Sequence, residues 1–410
     1  MTLAPVATPS IPQPTVGETD ASVVREYTVA EFFAGIGLAR LGLESASASF
    51  KVTWANDLAP DKQDMYVGHF GASEADHYRV EDIEVVAKDI EAAGLPTNLD
   101  LAWASFPCTD LSLAGGRQGL AGKSSGTFWH FTEVLAQLGA NRPAVVALEN
   151  VNGLATSHGG ADIKEAIRKL NELEYSVDVI TLDARSWVPQ SRPRLFLVAC
   201  KTVPVEDERR STGLRPSWLD PILDDPNLTT HRARLRQDPP KHRSEGWTEL
   251  VENSAETEYD WWDDERTAKF LGELSGVQNT RVKALKDVGL VAYRTAYRRT
   301  RNGRPAWEIR ADDIAGCLRT AGGGSSKQAV VRIDGSAPLQ VRWMTPLEYA
   351  SLMGAGDYVL PKRRNQSIMG FGDAVCVDAV RWLADHYLEP LLSGKLARQT
   401  NTRTPAGKAS

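Results

Sequence analysis

Short apolar segments alternate with amphipathic ones over the first two hundred residues. Apolar runs at 27–33, 51–54, 99–105, 144–148, 177–182 and 194–200 predict strands. The stretch 162–173 has its apolar residues at helical spacing, and 128–138 is also helical in pattern. Strands that alternate with helices predict an α/β fold with a parallel sheet covered on both faces. Because ligands of such sheets bind at the carboxyl ends of strands, the residues that follow the strands are the candidates for chemistry.

The pattern changes after Cys200. Residues 201–340 are polar, weakly periodic and rich in Arg, Trp and Pro, and the run 293–310 holds six arginines against one glutamate. Regular patterning resumes at about Val341. We therefore predict a smaller domain over 201–340, inserted into a larger one that comprises 26–200 and 341–392. The ends, 1–25 and 393–410, are predicted to be a flexible leader and a flexible basic tail.

Composition and charge narrow the possibilities. The net charge of −6 excludes a uniformly basic surface, so any charge that binds nucleic acid must be local. The four cysteines are far apart and form no CxxC pair, which argues against a zinc site or a disulfide framework and favours a reducing compartment. Because no apolar run reaches membrane-spanning length and the start lacks a secretory pattern, we expect a cytoplasmic protein with no membrane partner and no metal.

The sequence FAGIG lies where the first strand turns into a helix. Gly35 and Gly37 there allow the backbone to approach a ligand. Asp57 ends the next strand, where a carboxylate can accept hydrogen bonds from ribose hydroxyls. The pair suggests an adenosine-containing cofactor. The alternatives are a turn that merely packs a helix on the sheet and an aspartate that caps a helix.

Three further motifs follow strands. The FPC motif places Cys108, an intrinsically strong nucleophile, on a loop after the rigid Pro107. The ENV motif places Glu149 where partial desolvation suits it to share a proton with a ring nitrogen. In QSRPR, Arg192 and Arg194 point to one side of an extended segment and are suited to a phosphate or a base edge. The alternatives are a structural thiol, a capping or salt-bridging acid, and an exposed basic strand start.

The ordered set FAGIG, ND, DI, PC, ENV, QxRxR, TPLEYASLMG and GFGDAVCV resembles the cytosine-5 DNA methyltransferase family over about residues 27–200 and 341–390. The resemblance implies a Rossmann-like S-adenosylmethionine-dependent methyltransferase sheet with an inserted target-recognition domain. It also implies methyl transfer to carbon 5 of a flipped cytosine in a specific double-stranded DNA sequence, through a covalent Cys108 adduct. A monomer with a restriction–modification or DNA-marking role is expected; a cognate restriction endonuclease would have to be encoded elsewhere.

The same resemblance implies a role for each site residue. Cys108 would add to carbon 6 of cytosine, Glu149 would bond ring nitrogen 3 and the exocyclic amine, and Arg192 and Arg194 would steady the flipped base. The residues expected to bind S-adenosylmethionine are Phe33, Ala34, Gly35, Ile36, Gly37, Leu38, Asp57, Leu58, Asp82, Ile83, Pro107, Asp373, Ala374 and Val375. Those expected to contact DNA are Ser112, Arg117, Gln118, Arg298, Arg299, Arg301, Gly323, Gly324, Ser325 and Lys327.

The chain departs from the family pattern at a few positions. Thr109 stands where the family usually has Gln, Lys123-Ser124-Ser125 precede Gly126 in place of an acid and an arginine, and Asp373 replaces the usual Asn. No departure affects Cys108, Glu149 or the two arginines, so we expect an active enzyme. The alternatives are a transfer RNA cytosine-5 methyltransferase, which typically has a shorter insert, a non-catalytic DNA-binding relative, which would lack the nucleophile, and an enzyme that transfers a group other than methyl.

Overall fold

A large sheet forms the centre of the structure, a computed structural model that describes residues 25–107, 119–122, 126–252, 260–301, 303–320 and 327–397. Its strands lie in the order β3-β2-β1-β4-β5-β7-β6. They are β1 (Tyr27–Phe32), β2 (Phe50–Asp57), β3 (Tyr78–Val80), β4 (Leu101–Ala104), β5 (Val145–Asn150), β6 (Ser176–Asp183) and β7 (Pro193–Cys200).

The strands from β3 to β5 are parallel, as the alternating pattern predicted, but β7 runs antiparallel between β5 and β6. No crossover helix separates β6 from β7, and a parallel pair needs such a connection. The reversal brings the start of β7 to the edge of the sheet where the other strands end. Leu195 therefore pairs with Asn150, and Phe196 pairs with Glu149.

Helices cover both faces of this sheet. Those of the first half are α1 (Leu38–Glu44), α2 (Pro60–Phe70), α3 (Ile83–Val86), α4 (Thr127–Gln137), α5 (Gly153–Thr156) and α6 (Ala161–Glu172). The helices that follow in the chain, not all of which pack on this sheet, are α7 (Asp220–Leu223), α8 (Trp247–Glu252), α9 (Asp264–Gly272), α10 (Gly276–Asp287), α11 (Pro346–Ser351), α12 (Arg364–Asp373), α13 (Val377–Leu383) and α14 (Glu389–Leu392). The predicted helices at 128–138 and 162–173 correspond to α4 and α6 within one residue at either end.

Two apolar cores lie against the two faces of the large sheet. Along β1, Val29 belongs to one core, whereas Ala30 and Phe32 belong to the other. One core includes α4 and α6, and the other includes α1 and α13. Strands buried on both faces carry continuous apolar runs, which is why their sequences could be recognised.

A second sheet follows in the polar region, in the order β11-β10-β8-β9. Its antiparallel strands are β8 (Ala292–Arg301), β9 (Arg304–Ile309), β10 (Gln328–Ile333) and β11 (Gln340–Trp343). It packs with α9 and α10 around its own core, which contains Phe270 and Trp307. A further core joins it to the larger domain by packing Val330 with Met65 and Phe371.

Part of the region predicted as an inserted domain packs on the large sheet instead. Arg215 makes a buried, two-bonded ion pair with Asp178 of β6, with Nε 2.8 Å from Oδ1. Thr230 forms a bridge with Val177 of the same strand. Residues 204–235 therefore protect the edge of β6 from unwanted pairing, and the second sheet with its helices begins later in the chain than position 201.

The ends of the chain lie largely outside the described residues. Within the predicted flexible tail, however, Leu396 is buried and its carbonyl accepts a hydrogen bond of 2.7 Å from the Val205 amide. The order of 393–397 follows from this contact. None of the helices in the described ranges is long and apolar enough to cross a membrane.

Candidate active site at the carboxyl edge of the large sheet

A cavity of about 400 Å³ opens where β1, β2, β4 and β5 end. Its volume lies within the range of about 300–1,000 Å³ that is typical of small-molecule sites. Most of the residues predicted to bind a cofactor line it, namely Phe33, Ala34, Gly35, Leu38, Asp57, Leu58, Asp82, Ile83, Pro107, Asp373, Ala374 and Val375. The cavity lies at the carboxyl ends of these strands, and the cofactor-binding role of its lining residues stays a prediction.

The turn after β1 is held by Asp57. Its Oδ2 accepts a hydrogen bond of 3.0 Å from the Gly35 amide, and its Oδ1 accepts one of 3.0 Å from the Ala59 amide. Phe33 and Gly35 both have positive φ angles, 55° and 58°. A non-glycine residue in this region is uncommon and is often found at functional sites. Asp57 thus joins the turns after β1 and β2 and shapes the cavity wall.

Ile36 and Gly37 are the two predicted cofactor residues that do not line the cavity. Ile36 is buried among Met65 and Phe371. A Cβ atom on Gly37 would come within 2.7 Å of the Tyr66 ring, and the residue has a φ angle of 78°. The second glycine of FAGIG therefore allows α2 to pack closely against the turn, and it does not make room for a ligand.

Leu58, Asp82 and Ile83 form a part of the lining that is apolar with a polar edge. Leu58 is 65% exposed, which is unusual for a large apolar side chain directly after a buried strand. Asp82 caps α3 by accepting a hydrogen bond of 3.0 Å from the Glu84 amide, and Ile83 is buried beside it. An exposed aliphatic side chain near a carboxylate suits a flat heterocycle with an amino group.

Glu149 and Arg194 form an ion pair in the cavity wall, with Nε of the arginine 3.0 Å from Oε1 of the glutamate. The antiparallel pairing of β5 with β7 brings them together, since they come from a strand end and a strand start. Both side chains are largely buried. A carboxylate held by a guanidinium in this way has a fixed orientation toward whatever enters the cavity.

The loop that carries the predicted nucleophile begins in this wall. Asn150 donates a hydrogen bond of 3.1 Å from Nδ2 to the Phe106 carbonyl and accepts one of 2.9 Å at Oδ1 from the Val151 amide. Pro107 lines the cavity. Cys108 is next in the chain but lies outside the described residues, as do Ser112, Arg117 and Gln118.

Arg192 is buried and does not line the cavity, in contrast to Arg194. Its guanidinium donates to the carbonyls of Leu318 at 2.8 Å, Gly372 at 3.1 Å and Ala374 at 2.5 Å. These carbonyls belong to segments that carry the cavity residues Thr320, Asp373 and Ala374. Arg192 therefore positions the cavity wall from behind, whereas the sequence placed it beside the substrate.

A second thiol lies behind the wall. Cys317 Sγ is 3.5 Å from Nη1 of Arg192 and 4.0 Å from Nη2 of Arg194. Burial acts to raise the pKa of this thiol, but Arg192, Arg194 and Arg319 together hold the pKa below its ordinary value. Burial raises the pKa values of Cys200 and Cys376 to about 12.

Glu31 is a site residue that the sequence analysis missed. It lies within β1, lines the cavity and is only 1% exposed, and its Oε2 has no hydrogen-bond partner. Burial raises the pKa of Glu31 to about 8, against the opposing effect of Arg40. An acid in the middle of an apolar strand signals such a site, because an unpaired carboxylate is costly to bury.

Lys62 is a second residue that the sequence analysis missed. It belongs to the first turn of α2 and lines the cavity. Its Nζ is 3.5 Å from Oδ2 of Asp57 and 3.8 Å from Oδ2 of Asp373. The aspartate that departs from the family pattern thus faces a lysine.

The three arginines of the β8–β9 hairpin that were predicted to contact DNA have acidic partners. Arg298 binds Glu273 through two hydrogen bonds of 2.8 and 2.7 Å, while Arg299 and Arg301 pair with Glu308. Lys327 donates a hydrogen bond of 3.0 Å to Asn365. The predicted DNA contacts Gly323, Gly324 and Ser325 lie outside the described residues. In the described ranges, no group of three or more His, Cys, Asp or Glu side chains could hold a metal ion.

Known proteins of one family resemble this chain. The family described as C-5 cytosine-specific DNA methylase matches residues 27–389. The type II methyltransferase M.BanI of Aneurinibacillus aneurinilyticus is 29% identical over 286 residues, which are 68% of this chain and 58% of the relative. M.HpaII of Haemophilus parainfluenzae is 25% identical over 395 residues, 91% of this chain and 92% of the relative. For three curated relatives the aligned part is about half of their length, between 48% and 58%.

A solved structure shows the same fold. The Entamoeba histolytica methyltransferase EhMeth superposes with a TM-score of 0.56 at 16% identity, over 91% of this chain and 99% of that chain. The predicted methyltransferase-type α/β fold is thereby confirmed. Since the family match spans nearly all of the chain between the first strand of the large sheet and its last helix, the protein belongs to the C-5 cytosine-specific DNA methylase family.

Proposed function

We propose that the protein transfers a methyl group from S-adenosylmethionine to carbon 5 of a cytosine in double-stranded DNA, with Cys108 as a transient nucleophile. The observation that carries this proposal is the shared cavity. The Glu149–Arg194 pair lies in its wall together with the Gly35–Asp57 turn, and Pro107, the neighbour of Cys108, lines it as well. A base and a cofactor would therefore meet in one enclosed space.

The residues of the cofactor end fit S-adenosylmethionine. The unpaired Oε2 of buried Glu31 suits the α-ammonium group, because an orphaned buried acceptor gains from a charged donor. Asp57 would accept from the ribose hydroxyls, exposed Leu58 would lie against adenine, and Asp82 would accept from the adenine amino group. When bound, S-adenosylmethionine supplies the electrophilic methyl group that carbon 5 of cytosine attacks.

The chain's own residues make carbon 5 nucleophilic. The Cys108 thiolate forms a bond to carbon 6, and the ring electrons that this addition displaces give carbon 5 enamine character. Glu149 holds a proton at ring nitrogen 3 and accepts from the exocyclic amine, while Arg194 fixes its orientation. Removal of the proton on carbon 5 and expulsion of Cys108 restore the ring.

The target base is inaccessible in the stacked duplex, so it must be rotated out of the helix. The second sheet would then contact the surrounding DNA, with Arg298, Arg299, Arg301 and Lys327 as candidates. The side chains of Arg299 and Arg301 are more than half exposed, so their guanidinium groups can reach a phosphate from their present positions. We assign the protein a restriction–modification or DNA-marking role and propose that it acts as a monomer.

Bisulfite sequencing of plasmid DNA after incubation with the protein and S-adenosylmethionine tests this proposal. Protected cytosines at one recurring sequence, absent without the cofactor, are expected. Transfer RNA incubated in parallel distinguishes DNA methylation from the alternative, methylation of transfer RNA. Protection of RNA cytosines alone would contradict the proposal. Mass analysis of the modified nucleoside identifies the transferred group.

A further inference from the structure

The cavity carries a marked excess of acid. Six carboxylate side chains line it, from Glu31, Asp57, Glu81, Asp82, Glu149 and Asp373. Among the described lining residues the basic side chains are Lys62 and Arg194, and Arg194 is paired with Glu149 at 3.0 Å. Among the described lining side chains, Lys62 is therefore the cation best placed to receive an anionic group at the cofactor end.

Lys62 is held between two carboxylates without being committed to either. Its Nζ lies 3.5 Å from Asp57 Oδ2 and 3.8 Å from Asp373 Oδ2. Both distances exceed the roughly 2.7–2.9 Å of a direct charge-assisted hydrogen bond. An ammonium group has three N–H donors, so these contacts orient the charge while leaving donors for another acceptor.

The lysine also lies beside the turn that shapes the cofactor end. A Cβ atom built on Gly35 would be 3.9 Å from Lys62 Cδ, so the lysine stem runs alongside the glycine backbone. Gly35 donates to the same carboxylate oxygen of Asp57 that faces Lys62. The ammonium thus stands between Asp57, proposed to hold the ribose, and Asp373.

From this geometry we propose that Lys62 binds the α-carboxylate of the cofactor, and that Asp373 is the counterion that keeps it in place. The assignment rests on the proposed use of S-adenosylmethionine. The amino acid part of that cofactor carries both an ammonium and a carboxylate, which Glu31 and Lys62 would bind separately. When Lys62 turns to the ligand carboxylate, Asp57 Oδ2 keeps its hydrogen bond from the Gly35 amide and its other lone pair faces the ribose hydroxyls.

This pairing accounts for the unusual residue at position 373. A lone aspartate in place of asparagine would repel the ligand carboxylate, whereas an aspartate facing a lysine adds little net charge. The two positions should therefore be coupled. Loss of Lys62 leaves Asp373 uncompensated, and replacing Asp373 by asparagine should then recover part of the lost affinity.

Calorimetric titration with two ligands tests the assignment without any turnover. S-adenosylhomocysteine carries the carboxylate, and its decarboxylated analogue does not. For Lys62→Met we expect the dissociation constant of S-adenosylhomocysteine to rise about tenfold or more, since a charged hydrogen bond is lost. The constant of the decarboxylated analogue should change less than about twofold, and Lys62→Met/Asp373→Asn should bind S-adenosylhomocysteine more tightly than Lys62→Met.

Lys51→Met is the matched control, because Lys51 is exposed at the start of β2, at the opposite edge of the sheet. It should leave both constants unchanged. An equal loss for the two ligands in Lys62→Met, or no loss for either, would overturn the role of Lys62. If the wild-type protein bound neither ligand, the proposed cofactor itself would be refuted and this assignment with it.

Discussion

Arg194 Nε lies 3.0 Å from Glu149 Oε1, across the antiparallel pair of β7 and β5. The contact exists because β7 reverses direction beside β5. Two residues 45 positions apart in the sequence are thereby fixed against each other within the sheet, where backbone pairing limits their movement. The acid that would hold the proton at the base is thus oriented before any substrate arrives.

Glu149→Gln should lower methyl transfer by at least about 100-fold, the lower range for a lost acid–base group. Its dissociation constant for S-adenosylhomocysteine should stay within about twofold of the wild type. Arg194→Ala should have a similar kinetic effect, because the carboxylate loses its orientation. The double variant should be little worse than either single variant, since the two act as a unit; effects that multiply would show that they act independently.

Arg192 is expected to stabilise the fold and not to act directly on the base. Arg192→Ala removes the donors to the Leu318, Gly372 and Ala374 carbonyls and is expected to lower the free energy of unfolding by about 3 kcal/mol or more. Urea denaturation measures this change. Arg168→Ala, an exposed arginine of α6, serves as the control and should cost less than about 0.5 kcal/mol. A decrease in the free energy of unfolding of less than about 1 kcal/mol in Arg192→Ala would contradict this role of Arg192.

The proton on Glu31 should make stability depend on pH. In the folded protein burial raises the pKa of Glu31 to about 8 from its ordinary value of 4.5. The folded chain therefore keeps a proton that the unfolded chain releases between these values. This contribution to stability is full below pH 4.5 and is lost as the pH rises to about 8. As the pH rises across this window, the free energy of unfolding of Glu31→Gln should increase relative to that of the wild type. Parallel pH profiles of the two proteins would contradict this prediction.

The same proton gives a signal on ligand binding. The α-ammonium group placed beside Glu31 favours its ionised form, so S-adenosylhomocysteine should release protons when it binds at pH 7. Calorimetry in two buffers with different ionisation enthalpies measures this release. Glu31→Gln should reduce it, because glutamine cannot titrate. A release unchanged in Glu31→Gln would assign the protons to another group.

Arg301 offers a test of the recognition surface. It is 63% exposed and pairs with Glu308, and we expect it to exchange this partner for a phosphate. For Arg301→Ala, the slope of log affinity for duplex DNA against log salt concentration should fall by about 1. Arg168→Ala on α6 is the matched control and should keep the wild-type slope. An unchanged slope in Arg301→Ala would remove it from the set of phosphate contacts.

The sequence allowed the strand ends to be found because apolar runs buried on both faces of a sheet are visible in one dimension. Glu31 was missed because the sequence analysis considered the residues that follow the strands, and this acid lies within β1. β7 reverses direction because the connection from β6 holds no crossover helix. The pattern of strands alone did not indicate this reversal. Arg192 and Arg194 looked equivalent at a spacing of two, but strand β7 begins between them, and one side chain enters the cavity while the other is buried behind it.

Lys62 and Asp373 illustrate another limit. They lie 311 positions apart, and only the packing of α2 against the end of α12 brings them together. The aspartate could be recognised as a departure from the family pattern, but its partner could not. Likewise, the acids that pair with Arg298 and Arg301 come from the residue that follows α9 and from the neighbouring strand. Charge patterns along a chain do not reveal which charged side chains form ion pairs in the fold.

The central claim is that Cys108 attacks the base, and covalent trapping measures it most directly. A DNA duplex in which 5-fluorocytosine replaces the target cytosine should form a denaturation-resistant adduct with the wild-type protein in the presence of S-adenosylmethionine, because the fluorine cannot leave as a proton does. Cys317→Ser, which removes the other thiol near the site, should still be trapped. Cys108→Ser should form no adduct while binding S-adenosylhomocysteine normally. An adduct in Cys108→Ser, or its loss in Cys317→Ser alone, would contradict this account.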